Sequence, residues 1–154
     1  MRPVRTAART AGAALLTAAL GGVAGCGQDD PAAAYCGLVE EHQAELTDIV
    51  GGGGPDALLG ALGIFRELQD QAPRDLADEW QQVVGRVAAL DEALRAAGLD
   101  PAAYDREQPP AGLTDAARAR VDAAARELVA PATTAAVGGL EQQARDVCGT
   151  PLVL

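Results

Sequence analysis

The amino-acid sequence predicts an all-α protein, a four-helix up-down-up-down bundle with a kinked last helix that is stapled by one disulfide. Apolar residues recur at intervals of three and four along most of the chain, which is the period of an amphipathic helix. Proline and glycine divide this pattern into four segments. No segment shows the alternation of apolar and polar residues that is typical of a β-strand.

The first 25 residues have the organisation of a bacterial signal peptide. Residues Met1 to Thr10 carry three arginines and no acid, and Ala11 to Leu20 form a mainly apolar run of ten residues. That run is too short to span a bilayer as a permanent helix. The segment ends in Val23-Ala24-Gly25-Cys26, which resembles the lipobox of bacterial lipoproteins, with valine at the position where leucine is most frequent.

The lipobox resemblance implies that the precursor is cut before Cys26 and that this cysteine receives a diacylglyceryl group and acyl chains such as palmitate. Because two or more acyl chains give stable anchoring, the resemblance implies a location on the outer face of the bacterial cell membrane. Residues 26–34 then form a lipidated tether, and residues 35–154 form the helical domain. The alternative is an ordinary secretory signal that is cleaved near Ala32-Ala33-Ala34.

The first predicted helix begins at Tyr35 and ends at the four glycines of residues 51–54. Its buried stripe consists of Tyr35, Leu38, Val39, His42, Leu46, Ile49 and Val50. Pro55 and Asp56 suit the first turn of a second helix, because proline lacks an N–H that would be unpaired there and aspartate complements the helix dipole. The buried stripe of the second helix consists of Leu58, Leu62, Phe65, Leu68 and Ala72.

Pro73 ends the second helix and opens the third, and Gly98 is placed as the C-terminal stop of the third. The apolar face of the third helix consists of Leu76, Trp80, Val83, Val84, Val87, Leu90, Leu94 and Ala97. Residues 99–113 contain three prolines and predict a long connection with one turn around residues 102–105.

The last predicted helix begins after Thr114, which is a suitable N-cap. Pro131 predicts a kink or an interruption in this helix, and Gly149 and Pro151 end it. Its apolar positions are Ala117, Val121, Ala124, Leu128, Ala132, Ala135, Leu140 and Ala144. Four helices with short first and second turns fit an up-down-up-down bundle, in which the first and last helix ends meet.

Two cysteines remain once Cys26 is assigned to lipid, Cys36 at the start of the first helix and Cys148 at the end of the last. An even number of cysteines in an oxidising compartment predicts a disulfide. The predicted topology brings these two helix ends together, so the pairing and the topology support each other. The alternative, two free thiols that bind metal or act in redox chemistry, lacks the C-x-x-C spacing.

The chain is strongly acidic. Its formal net charge is −10, and loss of the three arginines of the signal peptide takes the mature chain to −13. Such a surface repels phosphate backbones and anionic lipid headgroups. This charge argues against nucleic acid as a partner and leaves the N-terminal lipid as the attachment to the membrane.

The sequence offers few groups for catalysis or metal binding. It contains no Ser, Asn or Lys, and its single histidine, His42, has Glu45 one turn away. No second histidine or free cysteine completes a familiar zinc set, so we expect no metal and no other cofactor. Asp78 and Glu79, beside Trp80, leave a carboxylate-based envelope enzyme as a formal alternative, although ion pairs along helix faces explain most of the acids.

The mature chain resembles small helical lipoproteins of actinobacteria in three stretches, which are Tyr35-Cys36, residues 72–80 (APRDLADEW) and residues 144–151 (ARDVCGTP). The resemblance implies no particular activity, ligand or partner. We therefore expect a binding or scaffolding module that presents a helical face to an envelope protein. The alternative is a different class of function, a small-molecule carrier with a pocket between the helices.

Overall fold

The computed structural model describes residues 31–53 and 56–154 of the chain. Within these ranges the fold is all-helical and contains no β-strand, which confirms the prediction of an all-α protein. The predicted signal peptide, the predicted lipid site Cys26 and residues 27–30 of the predicted tether lie outside the described residues.

The described residues form six α-helices where the sequence predicted four. The helices are α1 (Pro31–Gly51), α2 (Ala57–Gly60), α3 (Leu62–Gln71), α4 (Ala77–Ala96), α5 (Asp115–Leu128) and α6 (Pro131–Gln143). A 3₁₀ turn (Arg74–Leu76) leads into α4, and a π-helical turn (Ala144–Cys148) follows α6. The additional helices come from interruptions of the second and the last predicted helix.

Helix α1 begins at Pro31, four residues before the predicted start at Tyr35. Proline is favourable at the first position of a helix, and the three alanines that follow are the best helix formers. The helix therefore extends into the segment that was expected to be an extended tether. It buries Tyr35, Val39 and Leu46 against the rest of the protein.

The second predicted helix is divided at Ala61 into α2 and α3. Gly60 ends α2, and glycine is a poor helix former. The division changes which side chains are buried, since Ala61 and Ile64 enter the core whereas Leu58 is 42% exposed. The prediction that Leu58 is buried was therefore wrong.

Helix α4 is the central helix of the fold, because it contacts α2, α3, α5 and α6. Its buried side chains follow the predicted face and are Trp80, Val83, Val84, Val87 and Leu94. The helix ends at Ala96, and Gly98 stops it there as predicted, with φ +67° at that glycine. The N–H groups of Gly98 and Leu99 donate to the carbonyls of Arg95 and Leu94, which is the Schellman arrangement that favours glycine.

The last predicted helix is split, rather than kinked, before Pro131. Thr114 caps α5 as predicted, and its hydroxyl accepts a hydrogen bond of 3.2 Å from the N–H of Ala117. Pro131 is the first residue of α6, where its missing N–H costs nothing. The split changes the helix phase, so α6 buries Thr133 and Ala136 and exposes the predicted positions Ala132 and Ala135.

A disulfide joins Cys36 in α1 to Cys148 at the end of the π-helical turn, with 5.1 Å between the two Cα atoms. This pairing confirms the prediction from the cysteine count. It links two positions that are 112 residues apart in sequence, and it fixes α1 beside the turn that follows α6.

Candidate functional site

An apolar cleft of about 320 Å³ lies among the helices and is the candidate binding site. Its lining side chains are almost all aliphatic or aromatic. They are Leu46, Val50, Leu58, Phe65, Trp80, Val83, Val87, Leu128, Thr133, Val137, Leu140, Glu141, Leu152 and Val153. The sequence pattern did not reveal this cleft, because periodicity shows which faces are apolar and does not show where facing side chains leave space.

The floor of the cleft is built by α4 and α6. Trp80, Val83 and Val87 of α4 and Leu140 of α6 are all buried. The lining residues of α4 are spaced by three and four, so they project from one face of that helix. The floor is therefore part of the hydrophobic core and has a fixed position.

The rim of the cleft is exposed. Val50, Leu58 and Val137 line the cleft and are 38%, 42% and 45% exposed. Three side chains from three different helices thus place apolar surface around one opening. Apolar patches of this kind are common at interaction sites.

The segment after the disulfide forms part of the cleft wall through Leu152 and Val153. The amide of Gln43 donates a hydrogen bond of 2.8 Å to the carbonyl of Pro151, and the N–H of Leu154 donates one of 3.1 Å to the hydroxyl of Thr47. These bonds hold residues 151–154 along α1, where Leu152 is buried. The partners are more than 100 residues apart, and no local sequence signal indicates such contacts.

Trp80 presents an apolar ring to the cleft because its polar group is already bonded. Its indole Nε1–H donates a hydrogen bond of 3.2 Å to the hydroxyl of Tyr35. The Tyr35 ring meets it edge to face at 6.5 Å, and the Phe65 ring lies 5.9 Å away. Burial raises the pKa of the Tyr35 phenol, the charge of Glu141 raises it further, and the hydrogen bond from Trp80 opposes this increase.

Thr133 is a polar residue on the cleft wall whose hydroxyl already forms hydrogen bonds within the protein. Its hydroxyl donates to the carbonyl of Glu127 at 2.7 Å and accepts from the side-chain amide of Gln82 at 3.1 Å. The first bond joins α6 to α5, and the second joins α6 to α4. Thr133 therefore holds the split helix together and offers no free donor to a ligand.

Glu141 is the ionisable residue on the lining of the cleft. One carboxylate oxygen, Oε2, accepts from Arg145 at 3.2 Å in an i,i+4 pair, and the Glu141 side chain is 22% exposed. Arg145 does not line the cleft. The carboxylate therefore places a negative charge at the edge of an otherwise apolar surface.

The structure places the other predicted candidates away from the cleft. His42 bonds to Glu67 of α3 at 3.1 Å and lies 3.9 Å from Glu45, so it bridges two helices. Among residues 31–53 and 56–154, no group of three or more histidine, cysteine, aspartate or glutamate side chains is arranged to hold a metal ion.

Asp78 and Glu79 do not converge on a common site. Asp78 is exposed, and Glu79 packs against α6 near Gly139. Consecutive residues on a helix point about 100° apart, and neither carboxylate lines the cleft. The arrangement does not form the facing acid pair that the carboxylate-enzyme alternative requires.

Comparison of the chain with known protein families, with curated proteins and with solved structures finds no match. Within the part of the chain that the structure describes, no helix has both the length and the apolar character needed to cross a bilayer.

Proposed function

We propose that the mature protein is a lipoprotein, anchored through Cys26 on the outer face of the bacterial cell membrane, whose helical domain binds a small apolar ligand in the cleft. The observation that carries the ligand-binding function is the apolar cleft with a buried floor and an exposed rim. The lipobox resemblance of Val23-Ala24-Gly25-Cys26 supports the anchor.

The proposal includes an up-down-up-down arrangement in which α2 with α3, and α5 with α6, act as two interrupted helices. The disulfide between Cys36 and Cys148 supports this arrangement, because an even number of antiparallel helices brings the first and last helix ends together. In the mature protein, residues 26–30 would then connect the membrane to the end of the domain that carries this disulfide.

The size of the cleft suits a small molecule. Ligand sites enclose roughly 300–1,000 Å³, and an apolar cavity of about 150 Å³ is already sufficient for benzene. At about 320 Å³, the cleft suits a molecule of about two or three rings or one alkyl chain of medium length. Burial of apolar surface provides the driving force, at about 25 cal/mol for each Å².

Binding is tested with N-phenyl-1-naphthylamine, a neutral fluorophore whose emission rises in apolar surroundings. We expect saturable binding to the wild-type domain, with energy transfer from Trp80, the single tryptophan of the chain. Val137→Glu places a charge at the rim and is expected to weaken binding by about tenfold or more, because burying an unpaired charge is costly.

Val147→Glu is the matched control, since Val147 is 50% exposed and does not line the cleft. This variant carries the same added charge and is expected to bind as the wild type does. Non-saturable binding to the wild type, or equal weakening by both variants, would overturn the ligand-binding proposal.

A second candidate function is the presentation of the rim to an envelope protein. The observation that favours it is the exposed apolar surface of Val50, Leu58 and Val137. Crosslinking in intact cells from position 137, compared with position 147, tests this candidate. A product of defined mass from position 137 alone is expected if the rim is a protein contact, and equal products from both positions would exclude it.

The anchor has its own test. Intact mass spectrometry of the protein from the membrane fraction is expected to show a chain that starts at Cys26 and carries acyl chains. Cys26→Ala is expected to lose the acyl mass and to leave an uncleaved precursor. A chain without lipid that starts near Ala32-Ala33-Ala34 would contradict the anchor.

A further inference from the structure

We infer that the ligand of the cleft is an amphiphile with one apolar body and one hydrogen-bond donor, an alcohol or an amine, which bonds to the carboxylate of Glu141. This inference rests on the proposed function and adds the chemical class of the ligand. The inference predicts that the cleft prefers molecules without a carboxylate, sulfonate or phosphate group.

The lining of the cleft offers few groups that can form a hydrogen bond with a ligand. The N–H of Trp80 and the hydroxyl of Thr133 are both committed to protein partners. Glu141 uses Oε2 for Arg145, and its second oxygen has no hydrogen-bond partner among the described residues. An ionised carboxylate has about four acceptor positions, whereas the Thr133 hydroxyl has one lone pair left. Glu141 is therefore the lining side chain with the most acceptor capacity left for a ligand, and the one that carries a charge.

Glu141 lies near both a buried group at the floor of the cleft and an exposed residue of the rim. Its charge acts on the phenol of Tyr35, which is bonded to Trp80 at the floor. Glu141 also lies four residues after the rim residue Val137 on α6, which corresponds to about 6 Å along the helix. A ligand with its donor at Glu141 thus places its apolar body on the adjoining apolar lining of the floor and the rim.

The charges around the cleft favour some ligand head groups over others. Neither arginine nor histidine lines the cleft, so an anionic head group finds no partner of opposite charge there. It also meets the negative charge of Glu141 and of a chain whose net charge is −10. A cationic donor forms a charge-assisted hydrogen bond with the carboxylate, which is stronger than a neutral one. The expected order of affinity is amine, then alcohol, then carboxylate.

The test displaces N-phenyl-1-naphthylamine with decylamine, decanol and decanoate at pH 7, below their micellar concentrations. For the wild-type domain we expect decylamine to displace the fluorophore at a concentration about tenfold or more below that of decanoate, which corresponds to one hydrogen bond to a charged group. Glu141→Gln is expected to remove most of this difference and to retain decanol binding, because the glutamine oxygen still accepts a hydrogen bond.

Asp91→Asn is the matched control. Asp91 forms the same kind of i,i+4 pair with Arg95, at 2.9 Å, and it does not line the cleft. This variant is expected to keep the wild-type order of displacement. An unchanged order in Glu141→Gln, or the same change in Asp91→Asn, would overturn the inference about the head group.

The outcomes separate this inference from the function on which it rests. Equal displacement by all three probes, with weakening by Val137→Glu, would leave an apolar binding site and overturn the assignment of the head group. Stronger displacement by decanoate would do the same. Failure of all three probes and of the fluorophore to bind would overturn both the inference and the proposed function.

Discussion

The indole N–H of Trp80 and the hydroxyl of Tyr35 form a hydrogen bond of 3.2 Å inside the core, where each side chain is 1% exposed. The bond connects α1 to α4 beneath the cleft. In the unfolded chain water satisfies both groups, so the bond itself contributes only about 1 kcal/mol. Its larger effect is that the buried indole N–H of Trp80 has an acceptor.

Tyr35→Phe is expected to lower the free energy of unfolding by about 1–3 kcal/mol, because the indole N–H of Trp80 then stays buried without an acceptor. Urea unfolding followed by Trp80 fluorescence measures this change. Tyr104→Phe is the control, since the Tyr104 hydroxyl is buried without a hydrogen-bond partner among the described residues. A loss of stability in Tyr104→Phe as large as that in Tyr35→Phe would contradict the explanation.

The same tyrosine predicts a decrease of stability at alkaline pH. Burial raises the pKa of Tyr35 above its ordinary value of about 10. Between the unfolded and the folded pKa the folded state binds more protons, so the free energy of unfolding falls as pH rises above about 10. The contribution is fully present below pH 10 and is lost through the folded pKa.

Urea unfolding at pH 9, 10 and 11 measures the alkaline decrease. The chain contains no lysine, so no ε-amino group titrates in this range. Tyr35→Phe is expected to flatten the dependence, whereas Tyr104→Phe is expected to retain it. An equal alkaline decrease in wild type and Tyr35→Phe would show that another group is responsible.

The features of this fold that could be predicted from the sequence are those that depend on local chemistry. Thr114 caps a helix and Gly98 ends one because a hydroxyl acceptor and a positive φ are local requirements. The pairing of Cys36 with Cys148 followed from the cysteine count once Cys26 was set aside. These features depend on residue type and require no knowledge of the packing.

The cleft and the position of residues 151–154 along α1 depend on how the helices pack, and the sequence did not reveal either of them. The split at Ala61 separates α2 from α3, and Leu58 of α2 lies at the rim rather than in the core. The bond from Gln43 to Pro151 joins positions that are 108 residues apart. Neither feature has a periodic or compositional signature, because each depends on how separate helices meet.

Thr133→Val is expected to lower the free energy of unfolding by about 1–3 kcal/mol, because Gln82 loses its acceptor and the carbonyl of Glu127 loses its donor. Fluorophore binding is expected to persist, since the valine keeps the shape of the wall and makes it more apolar. Thr134→Val is the control, and at this exposed position we expect a change within about 0.5 kcal/mol. Urea unfolding and fluorophore titration measure both quantities, and equal effects of the two variants would contradict the role of Thr133.

Reduction of the disulfide is expected to lower the free energy of unfolding by up to about 5 kcal/mol, because the bond closes a loop of 112 residues in the unfolded chain. The urea midpoint with and without dithiothreitol measures this effect. The double variant Cys36→Ala, Cys148→Ala is expected to unfold at the midpoint of the reduced wild type and to show no response to reductant. An unchanged wild-type midpoint after complete reduction would contradict the expectation.

Gly138 and Gly139 are adjacent in α6 but have different surroundings, which gives a paired prediction. A Cβ atom at Gly138 has no neighbour within 4 Å, whereas one at Gly139 lies 3.4 Å from Cγ of Glu79. Gly138→Ala is therefore expected to raise the free energy of unfolding by about 0.5–1 kcal/mol through helix propensity alone. Gly139→Ala is expected to gain less, because Glu79, which has a buried carboxylate oxygen without a partner among the described residues, must adjust to the new methyl group. Urea unfolding of the two variants measures the difference, and a larger gain for Gly139→Ala would show that α6 does not approach α4 closely at this position.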